Sequence, residues 1–427
     1  MQHGERLSQY HWLYQWIDEE DIKTPGNYMK AIRKRGAFDR LSELSDKSFA
    51  EVLGGRPESD TSVLASRRLD FSGTLSCPHF DCMVPVVDRV FGRVWHYFDY
   101  IVIDERPLED VLGSGHDVDD LQQLAELFLY LRNIGAEQYL RFTRKVSGLC
   151  SEHFREYAND QHLGLDVLFD ENFENEVVQR LVSEGDFDIY AGGDCDLWRY
   201  RIQHPYIGTL NGDMDHSNSE RQPSKEEAAR SAYGSCCNGL ISDVSASRSL
   251  RLPVLEAAEN SWKPSSFQGN AVSDPIVALN LRLPVLTNVP VKELLRYRND
   301  HPASFEVFRA ALRDAIRKQI ERSGTDSPEV IANAVVAECI RPKLAEIEIQ
   351  LAGVRKTLAR KVSANIAVAS AAVSVGLVES MGLVVGVTAT AFAASIAQII
   401  GKSADDKKQA EESPWYFLWK AQTGHRR

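Results

Sequence analysis

The residues of this chain best suited to chemistry are carboxylates at the ends of expected strands. Asp70, Asp99, Asp104, Glu105, Asp194 and Asp196 each close an apolar run or sit in a turn beside one. Carboxylates gathered at the C-terminal edge of a parallel sheet can hold Mg2+ for phosphoryl chemistry, because a hard cation takes oxygen ligands and neutralises charge developing on phosphate. Asp70, Asp104, Asp194 and Asp196 are therefore the expected catalytic constellation. Solvated turn carboxylates and helix caps are the competing account of the same residues.

Sulfur and imidazole offer a second chemistry. Cys77 and Cys82 form a C-x4-C pair with His79 between them, and Cys150 and His153 form a C-x2-H pair. Cys77, Cys82, Cys150 and His153 would close a tetrahedral Zn2+ site if the fold joined the two pairs; buried thiols are the alternative. Cys236 and Cys237 are adjacent and open to oxidation wherever they are exposed. His96 and His116 are candidate acid–base groups. Arg296 and His301 have R-x4-H spacing, but Pro302 follows at once and interrupts a continuous helix. The chain contains no G-x4-G-K-[ST], no H-E-x-x-H and no G-x-S-x-G, so common nucleotide-dependent and triad enzymes lose support.

One short segment, Asp70-Phe71-Ser72-Gly73-Thr74-Leu75, resembles the first motif of haloacid-dehalogenase-like phosphatases, a strand ending in D-x-D-G-T-L. The resemblance implies that Asp70 is a nucleophile or metal ligand and that Asp194 or Asp196 is a second ligand. Ser72 stands where that family has the second Asp, its general acid, and the likeness covers only this segment. The chain is not assigned to the family.

Positioning such residues requires alternating strands and helices, and this pattern begins near Arg68. Leu69–Phe71 reads as the end of a short strand. Val87, Val90, Phe91, Val94, Trp95 and Phe98 then recur at helical spacing. Tyr100–Ile103 reads as a buried strand closed by Asp104 and Glu105. Helices are expected around Leu121–Leu131 and Val177–Leu181, and strands at Leu163–Phe169 and Asp186–Tyr190. The implied fold class is an α/β body with a mixed, partly parallel sheet and covering helices. A helical N-terminal appendage and an all-α C-terminal region with an apolar helical hairpin flank it.

The expected organisation is a helical appendage at 1–65, an α/β domain at 66–208 and a polar linker or excursion at 209–274. A helical stalk at 275–361, an apolar hairpin at 362–400 and a polar and aromatic tail at 401–427 follow. The aromatic run Tyr10, Trp12, Tyr14 and Trp16 is expected to be a packing face. The repeated L-R-L-P-V-L at 250–255 and 281–286 suggests two similar edge strands. Pro342 should kink or divide the helix that carries it.

The run from Val362 to Ile400 carries one charge, Glu379, in a chain that is 26% charged. As helices its two halves would be about 26 and 30 Å long, close to bilayer thickness. Ala, Ser and Gly dilute both halves, and Gly382 and Gly386 suit two closely approaching backbones. Arg355, Lys356, Arg360 and Lys361 precede the run and Lys402, Lys407 and Lys408 follow it, as expected when both ends stay in the cytoplasm. Trp415, Tyr416, Phe417 and Trp419 suit either a headgroup-level belt or ordinary docking. A nearly uncharged pair of helices enters lipid, is covered by protein on all sides, or joins chains into a homo-oligomer.

A length of 427 residues suggests two or three domains. Net charge −12 gives no nucleic-acid signal, seven cysteines do not read as a disulfide framework, and the segment from Met1 to Glu20 lacks a signal-peptide core. The leading expectation is a cytoplasmic sensing or binding body coupled to a hairpin that engages lipid of the inner membrane. The alternative is a soluble metal-dependent phosphoesterase or nuclease with the hairpin buried as core or dimer interface.

Overall fold

The computed structural model describes principally residues 11–52, 61–66, 80–105, 118–143, 151–163, 165–191, 197–205, 208–215, 221–255, 290–323, 326–347 and 413–424, with a few isolated positions between them. The chain divides into two units, 1–271 with 290–295, and 272–289 with 296–427.

The first unit opens with three helices, α1 (Trp12–Glu19), α2 (Pro25–Ile32) and α3 (Ala37–Val52). Local capping sets their starts. The His11 ring nitrogen accepts the Leu13 N–H at 3.0 Å, and Thr24 accepts the Asn27 N–H with Pro25 in the first turn. Trp12, Tyr14, Trp16 and Tyr28 are buried, so the aromatic run is a packing face.

Next come β1 (Ser62–Ala65), α4 (Phe80–Val94), β2 (Tyr100–Asp104), α5 (Val118–Asn133) and β3 (Leu140–Thr143). Val87, Val90, Phe91 and Val94 of α4 are buried, as their spacing predicts, and so are Leu121, Leu124, Phe128 and Leu131 of α5. The strands form a parallel sheet in the order β3-β2-β1-β7, with β7 (Val254–Leu255) arriving much later in the chain. The expected α/β class with a parallel sheet and covering helices is therefore present.

Residues 1–65 are not an appendage. They supply β1, an inner strand of the sheet, and α1 and α2 lie against α5. Their aromatic faces are consumed in covering the body. The strand expected at Leu69–Phe71 ends earlier, at Ala65; Leu69 lies in a turn and 70–79 fall outside the described residues.

After α6 (Ser151–Asp160), the strand expected at Leu163–Phe169 is instead a 3-10 turn, Asp166–Phe169. Its apolar side chains serve a helix-to-helix connection: Leu163, Leu165 and Leu168 are buried beside α7 (Glu171–Glu184). The chain then makes a separate antiparallel sheet of β4 (Asp186–Ala191), β5 (Leu197–His204) and β6 (Gly208–Asp215). Val178 and Leu181 of α7 and Tyr200, Ile202, Leu210 and Met214 of the sheet share one core.

The stretch 209–274, expected as a polar linker, contains most of β6 and then α8 (Lys225–Leu250), the longest described helix of this unit. A capping box starts α8: Ser224 Oγ accepts the Glu227 N–H at 3.2 Å, and the Glu227 carboxylate accepts the Ser224 N–H at 2.6 Å. Its buried face is Ala228, Ala229, Ala232, Cys237, Leu240, Ile241 and Val244. Small side chains gave that face little apolar weight in the sequence, yet they let the helix approach the sheet closely. Arg251, at φ 56°, ends the helix, and β7 follows at the sheet edge. Of the repeated hexapeptides, the first thus supplies an edge strand; most of the second lies outside the described residues.

The described residues of the second unit are helical. The turn between α9 (Val291–Asp300, which starts in the first unit) and α10 (Pro302–Arg322) is at His301, so the helix is interrupted there, with Arg296 inside α9 and His301 just ahead of Pro302. Phe305, Phe308, Leu312 and Ile316 are the buried face of α10. Then come α11 (Pro328–Ala334), a π-helical turn Val335–Ile340 and a further helical turn at 341–347. Pro342 follows the π turn rather than breaking the chain, because wider winding accommodates a residue that lacks an N–H and crowds the preceding turn. The final described helix is α12 (Tyr416–Gly424).

Candidate functional site

The C-terminal edge of the parallel sheet carries the densest set of buried charges in the first unit's described residues. Strand β2 delivers Asp104 and Glu105, and β3, in register with Asp104 opposite Thr143, delivers Lys145 two residues further on. Helix α8 brings Asp243 to the same place. The Lys145 ammonium donates to Asp243 Oδ1 at 2.9 Å and to the Ala65 carbonyl, the last residue of β1, at 2.6 Å. The backbone N–H of Lys145 donates to Asp104 Oδ1 at 2.8 Å. The side chains of Lys145 and Asp243 are 1% and 6% exposed.

Glu105 belongs to the adjoining layer. Its Oε1 accepts from the Ser48 hydroxyl of α3 and, at 3.4 Å, from the Trp12 N–H at the start of α1. Its own N–H donates to the Thr143 carbonyl at 2.6 Å. The carboxylate thus lies at the positive end of α1, where the helix dipole favours an anion. Ser45 of α3 accepts the Leu108 N–H at 3.1 Å just beyond. Through these bonds the N-terminal helices cover the β2 end of the edge.

The strands β1, β2 and β3 run outward in one direction and β7 lies on the other side of β1, so strand order reverses between β1 and β7. In open α/β sheets this reversal leaves a crevice beyond the carboxyl ends where ligands bind. Lys145 sits at that boundary through its bond to Ala65. An ammonium held by a carboxylate and a carbonyl is a poor nucleophile or base. Its direct contribution is to fix α8 and β3 to the end of β1.

The sequence-expected residues distribute as follows. Asp104 lies at the predicted edge, engaged with Lys145. Asp70, Asp194, Asp196, Cys77 and Cys150 lie outside the described residues, the two later aspartates within the β4–β5 connection of the antiparallel sheet. Cys82 falls in α4 with its side chain outside the description, and His153 is exposed on α6. Asp99 is at the opposite, N-terminal edge, bonded to the Thr61 hydroxyl, and so cannot join Asp104. His96 is buried beside Trp95 after α4, with ring centroids 6.2 Å apart; His116 lies outside the described residues.

Among the described residues no group of three or more His, Cys, Asp or Glu could hold a metal ion. Asp243 already has a protein cation as partner, which does not favour a bound divalent ion there. Cys236 and Cys237 are on α8, not in a linker. Burial pushes the Cys237 thiol up to about 12, ahead of the opposing hydrogen bond from Tyr233, so it is an inert core thiol.

Sequence reasoning missed Lys145 and Asp243. The short strand β3 was not anticipated, and Asp243 sits within a stretch read as polar linker. The only available signal was the position of Lys145 two residues beyond the apolar Leu140–Phe142 run.

Among the described residues no helix is long and apolar enough to cross a membrane; residues 362–400 lie outside them. No protein-family model, curated protein or solved structure matches the chain.

Proposed function

We propose that the protein couples an α/β binding body to a membrane-engaging apolar segment at residues 362–400, acting from the cytoplasmic side of the inner membrane. The observation that carries this reading is where the chain is held before residue 348 and after residue 412. α11 and the π turn lead into it and pack on α10, and α12, which follows it, packs on α10 as well. The described chain on either side of a nearly charge-free run with basic flanks, up to residue 347 and again from residue 413, is therefore held on one helix, which suits a hairpin dipping into lipid from one side. Trp415, Phe417 and Leu418 are buried against this bundle, while Tyr416 and Trp419 stack at 5.5 Å and stay partly exposed. The reversal of strand order between β1 and β7 is where the general rule for open α/β sheets would have the body take its ligand.

Flotation of the full-length protein with phosphatidylglycerol-containing vesicles tests the reading. The wild type should float with lipid, and a variant lacking 362–400 should stay in solution. Paired Val368→Asp and Val387→Asp substitutions should do likewise, since each buried carboxylate costs about 3 kcal/mol at a helix centre in lipid. Equal behaviour of all three proteins would sink it.

A further inference from the structure

We infer that the outer edge of β6 is a pairing surface for a second copy of this chain, the two β6 strands joining antiparallel about a two-fold axis at Asn211 to extend the three-stranded sheet of each copy into one continuous sheet. Among the described residues the other sheet edges are closed off. β7 is two residues long, and β3 is four residues long and buried throughout. β4 has its Ile189 carbonyl occupied by the side-chain amide of Gln222 at 2.8 Å. β6 runs for eight residues, Gly208–Asp215, and pairs with β5 in unbroken register from Gly208 opposite His204 to Asp215 opposite Leu197. It has no bulge, proline or lysine, the usual devices that blunt an exposed edge.

The alternation of hydrogen bonds across the sheet fixes which groups face outward. Ile189 turns its carbonyl away from β5, so Tyr200 opposite it directs its own N–H and C=O to the other side, toward Gly212 of β6. Leu210 and Gly212 are then spent on β5, and the N–H and C=O of Thr209, Asn211 and Asp213 point outward. Thr209 and Asn211 are exposed, and among the described residues nothing bonds to their outward groups.

The sequence of the strand selects its own copy as the occupant. Asp213 and Asp215 are both at one end, and positions 208–212 are uncharged. Antiparallel pairing centred on Asn211 sets Thr209 of each copy opposite Asp213 of the other and exchanges about six main-chain hydrogen bonds. Parallel pairing would set aspartate beside aspartate. The neighbouring strands favour the antiparallel choice as well. Asp188, Arg201 and Asn211 stand in one row of the sheet and would meet the same row reversed. In the next row Tyr190, Arg199 and Asp213 would meet Thr209, Gln203 and Asp186. Like charges are neighbours in neither row, and like charges directly opposite are what would destabilise such a pairing.

Sedimentation of the full-length protein over a range of concentrations tests this, with hydrogen exchange of the β6 amides followed in parallel. The wild type should pass from one copy to two as concentration rises, and the amides of Thr209, Asn211 and Asp213 should gain protection with it. Asn211→Lys places two ammonium groups against each other on the axis and should weaken association on the order of tenfold. An equimolar mixture of Asn211→Lys and Asn211→Asp should regain it as a mixed pair. Asn211→Cys should cross-link to its own copy with copper phenanthroline, since the Cα atoms of a hydrogen-bonded antiparallel pair are about 5.5 Å apart, within disulfide reach. Arg201→Cys, one strand further from the axis, should cross-link no more than wild type. Asn211 and Arg201 are both exposed, so these changes leave the core intact. A chain that stays single at every concentration would overturn the pairing and leave the edge to an extended segment of another protein. So would association that Asn211→Lys leaves undiminished, which would place the contact elsewhere in the chain.

Discussion

In the parallel sheet, β1 and β3 are buried along their whole length. In the antiparallel sheet, Asp186, Asp188 and Tyr190 of β4 and Arg199, Arg201 and Gln203 of β5 are exposed, while Phe187, Ile189, Tyr200 and Ile202 turn inward. Helices enclose the first sheet, so its few charges, Asp104 at the end of β2 and Arg141 within β3, are buried and held by specific partners. The second has one face covered by α6, α7 and α8 and the other in water, so charge is distributed along every strand. Like residue types therefore have unlike consequences. A carboxylate at the end of β2 is an element of the structure, and an arginine in the middle of β5 is a solvated group.

Substitutions on the two sheets should differ accordingly. The largest effect is expected for Asp243→Ala, which removes the carboxylate paired with the buried Lys145 ammonium and should lower unfolding free energy by about 3–5 kcal/mol in urea titrations. Lys145→Met combined with Asp243→Leu should recover most of that loss, because a matched apolar pair leaves no charge uncompensated. A fully additive double variant would show that the two groups do not act as a pair.

On the antiparallel sheet the comparable sensitivity is steric. Gly212 lies opposite Tyr200, and a methyl group there would meet the Tyr200 ring and hydroxyl. Gly212→Ala should cost about 1–3 kcal/mol by overpacking, read as a lower urea midpoint with unchanged slope. Stability equal to wild type would mean that the tyrosine ring can move aside.

Helix α8 serves both sheets, with Ala228 to Val244 in the antiparallel core and Ala246 and Leu250 against Leu64 and Val102. Removing its cap by Ser224→Ala should cost about 1 kcal/mol, with faster hydrogen exchange confined to the first turns. The smallest effect is expected for Arg201→Ala on the open face, within about 0.5 kcal/mol of wild type. A loss as large as that of Asp243→Ala would erase the contrast between the sheets.

Much of the body was readable wherever apolar spacing was strong. The α4 pattern from Val87, the strand Tyr100–Asp104 and the helix around Leu121–Leu131 appear where periodicity put them, except that α4 ends at Val94 and leaves Trp95 and Phe98 buried beyond it. Leu163–Phe169 failed because a short apolar run does not distinguish a strand from a buried turn. Helix α8 was missed because Ala, Gly, Ser and Cys carry little hydrophobic contrast, although the capping box at Ser224 and Glu227 was there to be read. For the site, Asp104 and Glu105 were legible as strand-end carboxylates. Their partners were not, since Lys145 and Asp243 are 98 residues apart.

By itself the sequence determined the local periods, the helix caps and the presence of one nearly charge-free run with basic flanks, because these depend on neighbours within a few positions. Only the tertiary structure decided that the N-terminal helices and β1 belong to the body, that Lys145 joins β1 to α8, and that Phe417 returns the chain to α10. Each of these is a contact between distant segments, set by which buried surfaces and charges can satisfy one another once strand order is fixed.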